Sequence, residues 1–278
     1  MQEVQSTSWV RQHRWLAVGA LVVVMLAAAG GSCWAVFFRT VASPVTLGAA
    51  LRMYRRGLDQ AAGARAVAAS ASAPTTRPAL EPGVFPYTTT GSESLSLMGM
   101  ARAFPSRTDM VVERANGACS TVDWVPLVQH SELMTVCPHG SRALSVTDFV
   151  THETIGGTTT TSVVDCPATL YLVPPVATVG ERWSARCHEQ GPSQNVAVDG
   201  LVVGASSLDV GGVAVPTVHV RLSMFYNGAT TGTAPTDLWI SMARGLVVQE
   251  REVDDVNQDG VHYHEQMGSL LISLQPAR

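Results

Sequence analysis

The sequence predicts a mainly β protein: a curved antiparallel sheet (half-barrel, barrel or sandwich) preceded by one transmembrane helix and a flexible linker. Three observations predict this fold. The run Trp15–Phe38 has 24 residues and no charge, apolar residues alternate with polar ones after about Pro82, and Asn-Gly and Asp-Gly turn signals separate these later runs. The predicted parts are a cytoplasmic N-terminus (1–14), the transmembrane helix (15–38), an Ala/Arg/Pro-rich juxtamembrane linker (39–82) and an extracytoplasmic β-domain (83–278).

Composition and charge restrict the class of protein. A chain with 46% apolar and 14% charged residues is not wholly disordered. The net charge of −4 argues against a nucleic-acid partner, because such proteins normally carry a basic stripe. Residues 1–77 carry eight Arg against two carboxylates, whereas residues 78–278 carry ten Arg against twenty carboxylates. The basic part contains the apolar run, and the acidic part contains the predicted domain.

The apolar run Trp15–Phe38 is long enough to span a membrane. A helix of this length would measure about 36 Å, more than the ~30 Å hydrocarbon layer of a bilayer. Arg11 and Arg14 precede the run and Arg39 ends it. Two alternatives remain open, namely a cleaved signal peptide and lipid attachment at Cys33. The lipid bilayer is therefore an expected partner of the chain.

The cysteines decide on which side of the membrane the domain lies. More Arg follow the span than precede it, which by itself favours a C-terminus inside the cell. However, an even set of cysteines without metal-type spacing predicts two disulfides, which need an oxidising compartment. This set is Cys119, Cys137, Cys166 and Cys187. We therefore expect a single-pass protein of the cell membrane whose C-terminal domain lies outside.

The linker has two parts. Leu47–Leu58 is compatible with a short amphipathic helix whose arginines meet lipid head groups, although a solvated juxtamembrane stretch is the favoured interpretation. Ala61–Pro82 has no apolar periodicity, which predicts a flexible tether.

Alternating residues mark the strands of the domain. In Thr217–Phe225 the residues Val218, Val220, Leu222 and Met224 share one face. Asp237–Met242 alternates in the same way, and Leu246–Val253 and Val261–Leu274 are further candidates.

The cysteine spacing also predicts a strand register. Cys119 and Cys137 lie on either side of a turn near Pro126–His130. Pairing them sets Thr121 opposite Thr135 and Val122 opposite Met134. That register collects Val122, Trp124, Met134 and Val136 on one apolar face. Cys166 with Cys187 would close a second loop, while the other two connectivities of four cysteines remain open.

One segment resembles half of a calcium loop. Asp255, Asn257 and Asp259 offer oxygen atoms at alternate positions before Gly260, as in D-x-N-x-D-G. The twelfth position is Gln266 rather than a carboxylate, and Asp-Gly is also typical of a hairpin turn. A weak calcium site is thus the alternative to a plain turn, and we expect no other cofactor.

No catalytic motif is present in the sequence. His262 and His264 lie two positions apart and would point the same way on a strand, with His219 as a third zinc ligand. Nucleophile-elbow, zinc-helix, Walker-type and dinucleotide-type patterns are missing. We therefore expect a protein without enzymatic activity. A hydrolase would instead bring these histidines together with carboxylates in a cleft.

A strand–turn–strand series resembles bacterial envelope half-barrels, among them lipoprotein carriers and relatives that handle glycolipids. It comprises Val210–Val218, Thr236–Ile240 and Gly245–Val248, with a central Trp and a turn that ends in Gly-Leu. The resemblance implies a curved sheet whose concave apolar face accepts acyl chains. The whole chain also resembles uncharacterised membrane-anchored extracytoplasmic proteins of actinobacteria, which implies no activity.

These observations predict a membrane-anchored extracytoplasmic module that binds an apolar or amphipathic envelope component. The alternatives are a structural or interaction domain that binds an envelope protein, and a hydrolase assembled from scattered residues.

Overall fold

The structure, a computed structural model, describes most of the region beyond the predicted membrane span. The described residues are 42–67, 80–96, 100–140, 143–155, 158–190, 194–258 and 260–277. Apart from one hairpin tip, they belong to a compact unit formed by Ala42–Glu153 and Thr160–Arg278. The predicted cytoplasmic segment and transmembrane helix lie outside the described residues. In the described part, no helix combines the length and the hydropathy that a bilayer crossing requires.

One helix and fourteen strands make up the regular structure of the described residues. Helix α1 spans Leu47–Val67. The strands are β1 (Gly83–Leu95), β2 (Met100–Ala103), β3 (Arg107–Arg114), β4 (Ser120–Leu127), β5 (His130–His139), β6 (Ala143–Ile155), β7 (Thr158–Asp165), β8 (Tyr171–Val173), β9 (Arg182–Glu189), β10 (Gln194–Val210), β11 (Val213–Asn227), β12 (Thr230–Ser241), β13 (Val247–Gln258) and β14 (Val261–Leu271).

The described strands form a closed antiparallel barrel of twelve strands, with β2 and β8 as additions. Neighbours in sequence are mostly neighbours in the sheet, and β1 closes the ring because it pairs with both β3 and β14. The closing register sets Tyr87 opposite Leu271 and Glu93 opposite Glu265. The predicted mainly β class and curved antiparallel sheet are confirmed, and of the three predicted architectures the barrel is the observed one.

Strands β2 and β3 pair with successive parts of β1, and a short segment without strand structure separates them. β2 pairs with the end of β1, from Ser92 to Leu95, and β3 pairs with its beginning. In this segment, the backbone N–H of Phe104 donates a hydrogen bond of 3.0 Å to the carbonyl oxygen of Gly91. The side chain of Phe104 is buried and belongs to the barrel core. The interruption thus places an aromatic ring inside the barrel beside the end of β1.

The alternation of side chains separates the inside of the barrel from its outside. In β11, Val218, Val220 and Leu222 are buried in the core, as the period-two pattern predicts. In β12, Leu238 and Ile240 are buried too, but Met242 follows the end of the strand and is exposed. The interior of the barrel is therefore the hydrophobic core of the domain.

The two predicted disulfides are present. Cys119 pairs with Cys137 and Cys166 pairs with Cys187, at sequence separations of 18 and 21 residues. Thr121 lies opposite Thr135 and Val122 opposite Met134, which confirms the register derived from the first pair. Closing loops of this size stabilises a domain by roughly 3 kcal/mol each in the chain-entropy model.

Helix α1 packs against the outside of the barrel. Ala50 and Tyr54 are buried against Val84 of β1 and Val111 of β3, two valines that face away from the interior. The helix begins at the predicted Leu47 but continues to Val67, beyond the expected end at Leu58. The predicted linker 39–82 therefore contains a helix, for which a short amphipathic helix at Leu47–Leu58 was one interpretation, and this helix covers apolar surface of the sheet.

Candidate functional site

The barrel interior contains a cavity of about 140 Å³. Its apolar part is formed on one side by β10, β11 and β12, through Val196, Val198, Leu222, Met224 and Leu238. On the other side, β3 to β6 contribute aromatic and sulfur-containing side chains, namely Met110, Trp124, Met134 and Phe149. Twelve strands enclose more space than the side chains of a small barrel fill, which makes an interior cavity a natural consequence of the strand number.

Four carboxylates, here called the acidic wall, line the same cavity. Glu250, Glu252 and Asp254 occupy alternate positions of β13, so all three point inward, and Glu132 of β5 completes the set. Glu252 is buried and accepts a hydrogen bond of 3.3 Å from the hydroxyl of Thr236. Glu132 is 36% exposed, so the acidic wall reaches solvent at this residue. The cavity therefore has one apolar side and one acidic side.

Next to the acidic wall lies a network that we call the histidine cluster: Glu93, Arg102, His130, Tyr263 and Glu265. His130 is 1% exposed, and both of its ring nitrogens contact carboxylates. Nδ1 lies 2.8 Å from Oε2 of Glu93, and Nε2 lies 2.9 Å from Oε1 of Glu132. Arg102 forms a salt bridge with the other oxygen of Glu93. His130 thus connects the cluster to the acidic wall.

Aromatic rings hold the imidazole of His130 in place. The rings of Phe104 and Trp124 meet it edge to face, with centroid distances of 6.0 and 5.7 Å. Trp124 in turn donates a hydrogen bond of 3.1 Å from Nε1 to the hydroxyl of Thr108. The orientation of His130 is therefore fixed by packing as well as by its two carboxylate contacts.

The environment of His130 favours its protonated form. Burial alone would lower the pKa of His130, but the hydrogen bonds to Glu132 and Glu93 raise it well above its usual value. Burial would likewise raise the pKa of Glu93, but His130 and Arg102 hold it below its usual value. Glu93 is therefore an ionised carboxylate with two cationic partners.

Tyr263 links two buried carboxyl groups of the histidine cluster, Glu93 and Glu265. Its hydroxyl lies 3.0 Å from Oε2 of Glu93 and also within hydrogen-bond distance of Oε2 of Glu265. A phenol has one proton, so it donates to one carboxylate only. Burial raises the pKa of Glu265 well above its usual value. The Tyr263 hydroxyl thus donates to one of the two carboxyl groups at a time and joins Glu93 to Glu265.

The remaining carboxylates resist ionisation for the same reason. Burial, together with the charge of Glu132, raises the pKa of Glu250 to about 8 and that of Asp254 to about 7. Burial and the charge of Asp254 raise the pKa of Glu252 well above its usual value. Burial and the charge of Glu93 raise the pKa of Glu153 to about 7. The interior therefore holds more carboxylates than the cations around it can neutralise.

Three buried oxygen atoms of this region have no hydrogen-bond partner among the described residues. They are Oδ1 of Asp254, Oε1 of Glu265 and Oγ of Ser269. Glu265 lies directly opposite Asp254, and Ser269 lies directly opposite Glu250. An unpaired buried acceptor costs about 1–3 kcal/mol, so these positions favour a ligand that brings hydrogen-bond donors.

Glu93, His130 and Glu265 have ligand atoms close enough together to hold a metal ion, within 4.8 Å of one another. The chemistry of the three groups does not fit a metal. Both nitrogens of His130 already contact carboxylates that raise its pKa and favour the imidazolium, and the guanidinium of Arg102 is bonded to Glu93. A metal needs a neutral imidazole with a free lone pair. The histidine cluster is accordingly an ion-pair network.

The residues proposed from the sequence as a calcium site lie at the end of the β13–β14 hairpin. Asp255 contacts His262 at 2.7 Å, and the side-chain oxygen of Asn257 accepts a hydrogen bond of 3.2 Å from the backbone of Gly260. Asp259 lies outside the described residues. The weak calcium site therefore remains a prediction.

The histidines considered as zinc ligands occupy different hairpins. His219 of β11 contacts Asp237 at 2.7 Å and stacks on Trp239, whereas His262 and His264 lie near Asp255. The charged interior was not deduced from the sequence, although a signal exists. In the adjacent pairs His152-Glu153 and His264-Glu265, successive strand residues point to opposite faces, which turns each Glu inward.

Comparison with solved structures shows a similarity in fold. The chain is similar to the hypothetical lipoprotein YmcC from Escherichia coli, with a TM-score of 0.34 and 12% sequence identity, over 68% of this chain and 86% of that one. No protein-family model and no curated protein matches the chain. A similarity of this size carries no functional argument, so the family resemblances stated above remain predictions.

Proposed function

We propose that the protein is a membrane-anchored binding protein whose barrel, outside the membrane, holds an amphipathic molecule of the cell envelope in its interior. One observation carries the proposal: the cavity of about 140 Å³ has an apolar side and a polar side. Ligand sites combine a mostly apolar lining with a few convergent polar groups. A barrel that served only as a structural domain would gain stability by filling this space with side chains.

The location is supported by two features of the chain. The disulfides Cys119–Cys137 and Cys166–Cys187 are typical of an oxidising compartment. The apolar run Trp15–Phe38 supplies the length of an anchor. A binding domain held close to the bilayer would receive amphipathic molecules from the membrane surface.

The size of the cavity limits how much of a ligand it encloses. An apolar cavity of about 150 Å³ holds one benzene molecule, so this interior accepts roughly six to eight non-hydrogen atoms. Either a small amphiphile or one end of a longer molecule fits that space. The rest of a longer ligand would leave past Glu132, where the acidic wall reaches solvent.

Mass spectrometry of small molecules that copurify with the full chain tests this function. We expect an amphipathic molecule that is retained by the native protein and released on denaturation. Val198→Phe places a ring in the cavity and should abolish copurification. Asp199→Phe places the same ring on the exposed outer face of β10 and should retain the molecule.

Two outcomes would contradict the proposed binding function. If the native protein carries no small molecule, or if the two variants carry the same amount, the interior is not a binding site. The interaction-domain alternative then becomes the better hypothesis.

A further inference from the structure

The carboxylates that face the cavity have no matching cation. Among the described residues, no Arg or His forms an ion pair with Glu250, Glu252 or Asp254. Their neighbours on β14 add to the excess, because Glu265 lies opposite Asp254 and is 2% exposed. Acidic groups directly opposite each other on adjacent strands repel when ionised. The barrel thus gathers acidic groups that ionise only against burial and mutual repulsion.

The three side chains of β13 form a row along the apolar cavity. At about 7 Å between alternate residues of a strand, Glu250 and Asp254 lie about 14 Å apart. Leu238 is the cross-strand neighbour of Glu250, and Val198, Leu222 and Met224 line the cavity with it. A bound molecule would therefore touch carboxylates and aliphatic side chains at the same time.

Three buried oxygen atoms without a hydrogen-bond partner indicate which polar group a ligand would need. The hydroxyl of Ser269 is 95% buried and has no partner among the described residues, and neither has Oε1 of Glu265 nor Oδ1 of Asp254. Glu265 and Ser269 lie on the inward face of β14, opposite Asp254 and Glu250 of β13. These atoms accept hydrogen bonds and, in the ionised carboxylates, attract positive charge.

We propose that the ligand of the barrel is an amphipathic primary amine, whose ammonium group lies beside Glu252 and Asp254 and whose apolar part fills the cavity. This inference rests on the proposed binding function and specifies its ligand class. A primary ammonium supplies the positive charge and three N–H donors, whereas a quaternary ammonium supplies only the charge. A carboxylate ligand, such as a fatty acid, would add negative charge to an interior whose acidic groups already resist ionisation, and would be rejected.

Other titratable groups act on the row and belong to the same electrostatic system. They are Tyr87 and Glu93 of β1, Arg102 of β2, His130 and Glu132 of β5, Glu153 of β6, Tyr226 of β11, and Tyr263 and Glu265 of β14. Only Arg102 and His130 among these are cations, and both are already bonded to Glu93. An incoming ammonium ion therefore meets no competing cation at the β13 carboxyl groups.

Isothermal titration calorimetry with four probes of similar size tests the inference: hexylamine, hexanol, hexanoate and butyltrimethylammonium. The full chain in detergent is the sample, and detergent micelles alone give the baseline. We expect hexylamine to bind at least about tenfold more tightly than hexanol or the quaternary amine, which is the size of one charge-assisted hydrogen bond. Hexanoate should not bind.

Variants locate the ammonium group. Glu252→Gln keeps the shape of the side chain and should weaken hexylamine binding about tenfold while leaving hexanol binding unchanged. Asp199→Asn removes an exposed carboxylate from the outer face of β10 and should leave both affinities unchanged.

Proton release provides a measurement that needs no variant. Titrations of the unchanged chain at pH 7 in two buffers of different ionisation enthalpy give the number of protons exchanged. Hexylamine should release protons, because an ammonium ion favours the ionised form of carboxyl groups that burial keeps protonated, such as Glu250. Hexanol should release none.

The outcomes separate this inference from the proposed function. Equal affinity for hexanol and hexylamine, without proton release, overturns the choice of an amine and leaves the binding function standing. Tighter binding of the quaternary amine overturns the role of the unpaired acceptors and hence the primary amine. If none of the four probes binds, the amine inference fails, and the copurification experiment alone decides on the binding function.

Discussion

At the scale of single residues, His130 is the group on which the charged interior depends. It is the cation that touches both Glu93 and Glu132, and it is enclosed by the rings of Phe104 and Trp124. Removing one partner of a buried ion pair leaves the other charge without compensation, which is much more costly than the pair itself is favourable. The position therefore tolerates no neutral replacement without a loss of stability.

We expect His130→Asn to lower the free energy of unfolding by about 3 kcal/mol, because it leaves buried carboxylates without their cationic partner. The matched control is His219→Asn, which removes a histidine that contacts Asp237 on the outer side of β11 and β12. Pairs near the surface contribute about 0–1 kcal/mol, so this loss should be small. Urea unfolding of the full chain in detergent measures both. Equal losses would show that the histidine cluster is no more important for stability than a surface pair.

At the scale of elements, helix α1 is part of the folded domain rather than of a tether. Its residues Leu47, Ala50, Leu51 and Tyr54 recur at helical spacing and meet Val84 and Val111 on the barrel. Without the helix these two valines would be exposed on the outer surface. The apolar pattern of the helix was visible in the sequence, but a pattern does not say whether its partner is lipid or protein.

Tyr54→Ala should lower the free energy of unfolding by about 3 kcal/mol, the cost of removing a large buried side chain from a packed contact. Arg56→Ala changes an exposed residue of the same helix and should stay within about 0.5 kcal/mol of the unchanged protein. Thermal unfolding followed by circular dichroism compares the two. If both variants match the unchanged protein, α1 does not contribute to the stability of the barrel.

The strands show how far sequence patterns reach. In β11 one face is aliphatic and the other polar, so Val218, Val220 and Leu222 were correctly predicted to be buried together. In β13, Glu250, Glu252 and Asp254 share a face by the same periodicity, but a row of acids is typical of a solvated surface. The pattern predicts which residues share a face, and burial of the acidic face depends on the closed barrel.

Local sequence patterns could not predict that the barrel closes. It depends on pairing β1 with β14, for example Glu93 with Glu265, across most of the domain sequence. The cysteine register, in contrast, involves strands joined by a short turn, and the sequence predicted it correctly. The candidate site consequently escaped prediction, because its residues come from β1, β2, β5, β13 and β14 and meet only when the ring is closed.

At the scale of the whole molecule, the buried charges make stability depend on pH in a direction that can be worked out. A carboxyl group whose pKa is higher in the folded chain than in the unfolded one keeps its proton on folding. As the pH rises between the two pKa values, the unfolded chain releases that proton and the folded chain does not, so folding becomes less favourable. Glu250, with a pKa raised from 4.5 to about 8, behaves in this way.

Asp254 and Glu153, whose pKa values burial raises to about 7, add to the same trend. The raised pKa of His130 acts in the same direction, since its stabilising contribution is complete below its usual value and disappears as the pH rises through the folded one. The lowered pKa of Glu93 acts at the acidic end, where protonation of its carboxylate removes the ion pairs with Arg102 and His130. Stability should therefore be greatest near about pH 5, between these two trends.

We expect the free energy of unfolding of the ligand-free chain to decrease steadily from about pH 5 to about pH 8, the range set by the raised pKa values. Glu250→Gln combined with Glu252→Gln removes two of the responsible groups, so the decrease should become clearly smaller. Asp199→Asn, on the outer face of β10, should keep the full decrease. Urea unfolding at intervals of half a pH unit measures the slope. A stability that rises over this range would mean that the interior carboxylates are ionised and compensated in the ligand-free protein.

A stoichiometric amount of a bound amine should flatten the slope in the unchanged chain, because the ammonium ion would stabilise the ionised carboxylates that burial alone disfavours.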